Sequence, residues 1–246
     1  MASQCGIGLS ILLLWGSATA AEAAPGGLLG LTSDYVLRGV SQSDGDPAAQ
    51  GEAHYGFAPG WSAGLWASQV RLLPGHATAE FDAYLQWRAT LSESLDLSAT
   101  ATHYSYPGDP RPISYAYDEL GLSLSWRDAL DLAASWTPTL NLYSYTDGLA
   151  RDHGVLSYEA SVHRSLRSHF DLSAGVGYYD PPGLEYAAYG YGNAQLAWHY
   201  GHWRANLAWI WVQNADHRQY TPGPAGGPLA KLLDRHRRRK ATRFTR

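Results

Sequence analysis

The sequence predicts an all-β fold: an antiparallel, up-and-down transmembrane β-barrel of about twelve strands. Segments of roughly ten residues alternate between apolar and polar side chains, and turn-forming residues separate them. The chain has 10 Trp and 17 Tyr against 4 Phe, and its mean hydropathy is -0.29, which indicates interfacial aromatics more than a large aliphatic core. After the N-terminal segment, no stretch approaches the roughly 18 apolar residues of a membrane-spanning helix. A membrane protein of this kind has to satisfy its backbone as a closed barrel.

The N-terminus has the pattern of an export signal. An apolar run over residues 7–15 precedes small residues at A-x-A spacing, which predicts a signal peptide over residues 1–23, cleaved after Ala20 or Ala23. No Lys or Arg precedes the apolar run. Cys5 is the only cysteine and lies in this leader, so the exported chain is expected to lack disulfides.

The first alternating runs predict a hairpin with one charged face. A strand begins at Leu31 and reaches residue 41, turn formers interrupt the chain at residues 43–47, and a second strand follows over residues 50–57. The polar parity of the two strands carries Asp34, Arg38, Glu52 and His54.

Nine further alternating runs bring the predicted number of strands to eleven. They cover residues 62–71, 80–88, 95–106, 115–126, 130–145, 154–166, 170–179, 186–200 and 203–213. Pro138 weakens the fifth of these runs because it cannot donate to a ladder. Short and long connections alternate, as they do between the periplasmic and external rims of a barrel. Bacterial barrels have even strand numbers, so a twelfth strand is expected after Gln213.

The predicted domains are therefore a signal peptide (1–23), a barrel (24–213) and a C-terminal tail (214–246). Residues 221–228 of the tail are rich in Pro and Gly, and the end of the tail is basic. These residues do not have the pattern of a closing strand, so the tail is interpreted as a disordered or solvated segment. A frame change near the end of the gene is a second explanation.

The stretch SDYVLRGVSQSDGDPAAQG at residues 33–51 resembles the opening of the TorF-type porins of proteobacteria. Residues 64–70, 80–87, 104–108 and 117–126 resemble later parts of that family. The resemblance implies an outer-membrane barrel without a defined substrate. It implies outer-membrane lipid, lipopolysaccharide and the assembly machinery as partners. Family members end on an amphipathic strand with a terminal aromatic, whereas this chain ends at Arg246.

The predicted function is passive diffusion of small hydrophilic solutes through the lumen, at the outer membrane and without a cofactor or metal. Side chains on the inward parity would set the width and field of such a pore. The predicted pore-lining residues are Asp34, Arg38, Glu52, His54, Glu80, Asp82, Arg88, Glu119, Glu159, His163 and Arg204. The alternative for these residues is a network of ion pairs that fills a narrow barrel, and a size of about twelve strands does not decide between the two.

Tryptophans near strand ends predict the aromatic girdles of a membrane barrel. They are Trp66, Trp87, Trp126, Trp136, Trp198, Trp203 and Trp211.

Two other classes of function stay open at this point. Ser105 and Ser161 lie near His and carboxylate residues, as in a lipid-modifying enzyme on a barrel wall, but the chain has no G-x-S-x-G, P-loop or H-E-x-x-H motif. No catalytic residue is therefore predicted. The other class is a secreted β-sandwich that binds its ligand on aromatic platforms. The net charge of -4 gives no reason to expect a nucleic-acid partner, and self-association is left open.

Overall fold

Twelve strands form one closed antiparallel barrel in the computed structural model, which describes residues 3–15, 25–71, 78–108, 116–143, 150–167, 169–180 and 188–213. Each strand pairs with its neighbours along the chain, and the first pairs with the last. The barrel strands are β1 (Ser3–Trp15), β2 (Pro25–Thr32), β5 (Ala48–Ala58), β6 (Trp61–Gln69), β7 (Ala79–Ser92), β8 (Leu95–Ser105), β9 (Tyr117–Trp126), β10 (Leu130–Tyr143), β11 (Ala150–Arg167), β12 (Phe170–Asp180), β13 (Tyr189–Tyr200) and β14 (Trp203–Gln213). A separate small hairpin consists of β3 (Val36–Leu37) and β4 (Val40–Ser41).

Alternation along each strand sorts side chains between the lumen and the outside. In β7 the outward Phe81 and Leu85 are 50% and 42% exposed, whereas the inward Glu80 and Asp82 are 0% and 7% exposed. Successive side chains of a strand point to opposite faces, so the predicted period of two places one set inside the barrel. The predicted all-β barrel is therefore confirmed. No helix among the described residues is long and apolar enough to cross a membrane.

The alternation of short and long connections is also confirmed. Short turns at residues 59–60, 93–94, 127–129, 168–169 and 201–202 join strands at one end of the barrel, here called the short-turn end. Longer connections join the strands at the opposite end, here called the long-loop end. Pro138 coincides with a register shift in β10 between Thr137 and Leu140, as expected of a residue that cannot donate to the ladder.

The predicted first strand is wrong in position. β2 ends at Thr32, so residues 33–47 leave the wall where the alternation predicted a strand up to residue 41. Asp34 and the serines of this segment bond to each other and to nearby backbone, which gives the chain an alternative to the ladder. Asp34 and Arg38 therefore do not lie on the wall.

Among the described residues, the twelfth strand comes from the N-terminus, whereas the segment after Gln213, where the sequence predicted it, lies outside the described residues. β1 pairs with both β14 and β2, for example Leu9 with Leu207 and Leu13 with Leu29, and so fills the closing position. β1 overlaps the predicted signal peptide. The predicted tail, residues 214–246, lies outside the described part of the chain.

Candidate functional site

Residues 33–47 fold back into the barrel as a compact segment, here called the insertion. The Asp34 carboxylate accepts hydrogen bonds from the hydroxyls of Ser41 (2.5 Å) and Ser43 (3.0 Å). The Ser43 hydroxyl accepts one from the backbone of Tyr35 (3.0 Å), and the Ser41 hydroxyl accepts one from the backbone of Gly45 (2.9 Å). The Asp and Ser residues of the opening motif thus hold the insertion together.

The tip of the insertion is a two-residue turn at Arg38 and Gly39. Their φ angles are 48° and 79°, the left-handed backbone that the tight turn of a hairpin requires. A Cβ atom on Gly39 would lie 2.5 Å from Val212 Cγ2 and 2.9 Å from Tyr191 Cβ. Only glycine fits here, because both the backbone conformation and the contact with the wall exclude a side chain.

Apolar contacts anchor the same tip to β13 and β14. Tyr189, Tyr191 and Val212 form a buried cluster on the inner wall, and Val40 of the insertion packs against it. The buried apolar core of the described residues therefore lies inside the barrel, where the insertion meets the wall.

Arg38 binds the opposite side of the lumen. Its Nη2 donates to the Glu119 carboxylate on β9 at 2.8 Å and to the Ser135 hydroxyl on β10 at 2.9 Å. Its guanidinium carbon also lies 5.7 Å from the centre of the Tyr179 ring. Burial acts to lower the pKa of Arg38, but the Glu119 carboxylate outweighs burial and raises it, so the side chain stays cationic. The insertion thus bridges opposite walls through a charged pair.

Carboxylates and aromatic rings surround Tyr35 at the long-loop end. The Tyr35 and Trp66 rings lie 5.2 Å apart, and the Tyr35 phenol faces the buried Glu80 carboxylate. Tyr106 donates to Oε1 of Glu80 at 3.0 Å. Burial raises the pKa of Tyr35 and of Tyr106 above the ordinary value, so both phenols remain neutral donors.

The short-turn end of the lumen holds a polar chamber instead. A cavity of about 480 Å³ is lined by Arg88, Asp96, Ser98, Ser123, Asp131, His163 and neighbouring residues of β7–β11. A second cavity of about 180 Å³ shares Ser98 and Ser123 with it and reaches Arg38 and Glu119. The two cavities adjoin, so polar space runs from the short-turn end to the charged pair.

All eleven predicted pore-lining residues face the inside of the barrel or lie in the insertion. Asp34 and Arg38 belong to the insertion, and the other nine lie on the inward parity of strands. Most of them have partners within the barrel: Glu52 accepts from the Tyr84 hydroxyl and contacts His54 Nδ1 at 3.1 Å. Glu159 accepts from Tyr191, and Arg204 Nε donates to Asn206 at 3.1 Å.

Other inward residues of the same kind were not among those predicted to line the pore. Asp96 and Asp131 line the chamber, and Asp171 accepts from Ser165 at 2.8 Å. Their parity within the predicted strands could have identified them. Parity also places Tyr104 and Tyr117 inward, but it could not place Tyr35, which lies in the insertion, or predict that Tyr35 meets Trp66 and Glu80.

The predicted interface tryptophans divide between the two faces of the wall. Six of them, Trp87, Trp126, Trp136, Trp198, Trp203 and Trp211, lie on the outward parity. Trp66 does not lie where it was predicted. Its neighbour Leu65 is 65% exposed on the outside, so Trp66 points inward, where it packs on Tyr35. Trp61 and Trp209, which were not among the predicted interface residues, also point outward and are 39% and 56% exposed.

The serine residues considered for catalysis lack the geometry of a proton relay. His163 Nε2 lies 3.1 Å from the Ser161 hydroxyl and 2.6 Å from Asp131 Oδ2. A relay needs one imidazole nitrogen for the serine and the other for the acid, whereas one nitrogen makes both contacts here. Ser105 donates to the backbone carbonyl of Phe81 at 2.7 Å. Among the described residues, no group of three or more His, Cys, Asp or Glu side chains could hold a metal ion.

A closed antiparallel barrel with an apolar exterior and a polar lumen defines the class of this protein: it has the fold of a porin. The NanC porin structure is similar at 10% identity and a TM-score of 0.50, over 85% of this chain and 98% of that one. OpdL of Pseudomonas aeruginosa is 12% identical, with a TM-score of 0.38 over 82% of this chain and 69% of that one. The CymD monoaromatic hydrocarbon channel is 8% identical, with a TM-score of 0.39 over 89% of this chain and 90% of that one.

The chain belongs to the family described as "Bacterial protein of unknown function (Gcw_chp)", whose profile matches residues 19–228. None of the curated protein sequences is significantly similar to it. The narrower resemblance to TorF-type porins remains a prediction.

Proposed function

We propose that this protein is an outer-membrane channel through which small hydrophilic solutes diffuse passively, with the insertion as its constriction. The observation that carries the proposal is the polar space inside the barrel, which extends from the short-turn end to the pair of Arg38 and Glu119. Hydroxyl groups and charges line it, so a hydrated solute can exchange water for wall contacts along its path. The eleven inward residues named above are proposed to line this path.

The outer surface favours a membrane location. Its strands expose many large apolar side chains, among them Leu29 (55%), Leu65 (65%), Leu122 (55%), Val176 (59%) and Leu207 (51%). A continuous apolar surface of this kind is unfavourable in water and suits contact with lipid. The single closed sheet also differs from the two packed sheets of the secreted sandwich considered above.

The start of the family match supports export. It begins at residue 19, after β1 and just before the predicted cleavage sites, which is expected if β1 belongs to a signal peptide and not to the shared fold. We propose outer-membrane lipid, lipopolysaccharide and the assembly machinery as partners. The six outward tryptophans are proposed to lie at the membrane interfaces.

The mass of the protein purified from outer membranes tests the signal peptide. A chain that begins at residue 21 or 24 supports export with cleavage. An intact N-terminus, with residues 3–15 protected from protease, would instead assign β1 to the working barrel.

Single-channel recording tests conduction. The full chain is refolded into detergent, shown to be folded by its heat-modifiable migration on a gel, and added to a planar bilayer in KCl. Discrete conductance steps are expected. Arg38→Ala, which removes the side chain that crosses the lumen, should give larger steps, whereas Arg164→Ala on the outward parity of β11 should not. The proposal is overturned if the wild type and both variants fold as barrels but give no conductance steps.

A further inference from the structure

We propose that the channel prefers cations, and that the adjacent carboxylates of Glu80 and Asp82 hold the passing cation beside the insertion. This inference rests on the proposed channel function and adds the class of solute.

Among the inward side chains that the structure describes, acids outnumber bases. Eight carboxylates on the inward parity of the strands face two guanidinium groups there. The carboxylates belong to Glu52, Glu80, Asp82, Asp96, Glu119, Asp131, Glu159 and Asp171, and the guanidinium groups to Arg88 and Arg204. The insertion adds one cation, Arg38, and the three carboxylates of Asp34, Asp44 and Asp46, of which Asp46 pairs with Arg71. Such an excess of negative charge lowers the energy of a cation in the lumen and raises that of an anion.

Most of these carboxylates have charged or hydroxyl partners that occupy them. Glu119 binds Arg38, Asp131 contacts His163 at 2.6 Å, and Asp96 accepts from the Thr90 hydroxyl at 2.6 Å. Glu52, Glu159 and Asp171 accept from Tyr84, Tyr191 and Ser165 respectively.

Glu80 and Asp82 differ from this set because, within the described part of the chain, each keeps one buried oxygen without a partner, although Oε1 of Glu80 accepts from the Tyr106 hydroxyl. Oε2 of Glu80 and Oδ1 of Asp82 are buried and have no hydrogen-bond partner among the described residues. The two side chains are 0% and 7% exposed and share the inward face of β7. A buried carboxylate oxygen without a partner is costly, and two on adjacent inward positions are more so, because like charges repel. A bound cation would satisfy both oxygens.

Neither Arg38 nor Arg88 neutralises this pair, and Arg71 pairs with Asp46. Arg38 is held by Glu119 and Ser135 on the far wall. Arg88 lies on the same strand, but it comes six residues after Asp82, so the two residues are separated by about 20 Å along β7. Arg88 lines the chamber at the short-turn end instead.

Aromatic rings complete a site suited to a cation. Tyr104 is the cross-strand partner of Asp82, and it stacks on Tyr117 of β9 with ring centres 4.4 Å apart. Tyr35 faces the Glu80 carboxylate from the insertion. Ring faces attract cations and repel anions, so carboxylates and tyrosines favour the same ligand. The ligand class is a small monovalent cation, either a metal ion such as K⁺ or an organic ammonium ion.

Reversal potentials test this inference. The current is measured across a bilayer with a concentration gradient of KCl, and then of tetramethylammonium chloride. The wild type is expected to show the potential of a cation-preferring channel with at least one of the two salts. Glu80→Gln combined with Asp82→Asn keeps the shape of both side chains and should lower the cation-to-anion permeability ratio several-fold. The matched control is Asp118→Asn, since Asp118 lies on the outward parity of β9 and its side chain is 65% exposed.

The outcomes separate this inference from the channel itself. A wild type that conducts without preference, or that prefers chloride with both salts, would overturn the cation preference and leave the channel intact. A cation preference that the double variant retains would overturn the assignment to Glu80 and Asp82. Folded barrels without any current would remove the proposed function instead. The wild-type measurement needs no variant, so it stands even if the double variant does not fold.

Discussion

The two ends of the lumen are built from the same alternating strands, yet they differ in what fills them. At the long-loop end the insertion packs against tyrosines, Trp66 and the buried carboxylates of Glu80 and Asp82. At the short-turn end the wall encloses a chamber of about 480 Å³ lined by serines, acids and Arg88. The comparison shows that strand alternation decides which side chains face inward, whereas a segment outside the wall decides whether the space between them is filled.

The largest effect is expected from a change at the tip of the insertion. Gly39→Val should expel the tip, because a side chain there would clash with Val212 and Tyr191 and is strained at a φ of 79°. Single-channel conductance should rise several-fold, because the insertion then no longer fills the long-loop end of the lumen. Gly108→Val is the control, since Gly108 has a φ of 83° but nothing within 4 Å of the added Cβ. Equal conductance of the Gly39 variant and the wild type would show that the insertion does not limit flow.

Loss of the charged pair between Arg38 and Glu119 should destabilise the barrel. Arg38→Met leaves Glu119 buried without its cation, and the cost of breaking a buried pair is about 3 kcal/mol. Urea unfolding of the barrel in lipid vesicles measures this cost. Adding Glu119→Gln to Arg38→Met should restore part of the stability, because the unpaired charge is then removed. No recovery in the double variant would mean that Arg38 contributes through packing and not through its charge.

A smaller effect is expected from filling the chamber at the short-turn end. Ser123→Phe places a ring in the chamber that Ser123 lines and should lower the conductance roughly twofold or less, since this end is not the narrowest point. Leu122→Phe is the matched control, because Leu122 is 55% exposed on the outside of the same strand. A several-fold decrease in the Ser123→Phe variant would place the constriction in the chamber.

The smallest effect is expected from the tryptophans on the two faces of the wall. Trp66→Ala removes the ring that packs on Tyr35, which should cost about 1 kcal/mol and increase current noise as the insertion loosens. Trp203→Ala, on the outward face, should leave the single-channel noise unchanged. Identical noise in both variants would argue that Trp66 does not hold the insertion.

The sequence alone determined the barrel, its ten strands over residues 48–213, the order of short and long connections, and the inward position of residues such as Glu52 and Glu119. These properties follow from local rules: a period of two, turn formers between strands, and the need to pair every backbone group in a membrane. The motif at residues 33–51 was recognisable, but its residues were assigned to a strand wall.

Only the tertiary structure decided that residues 33–47 enter the lumen, that Trp66 points at Tyr35, and that β1 occupies the closing position. It also decided that Arg38 is paired with Glu119 while Glu80 and Asp82 lack such a partner among the described residues. The physical reason is that these contacts join segments far apart in the chain. Alternation records which face a side chain takes, but the partner it meets across a barrel depends on register and on what the lumen contains.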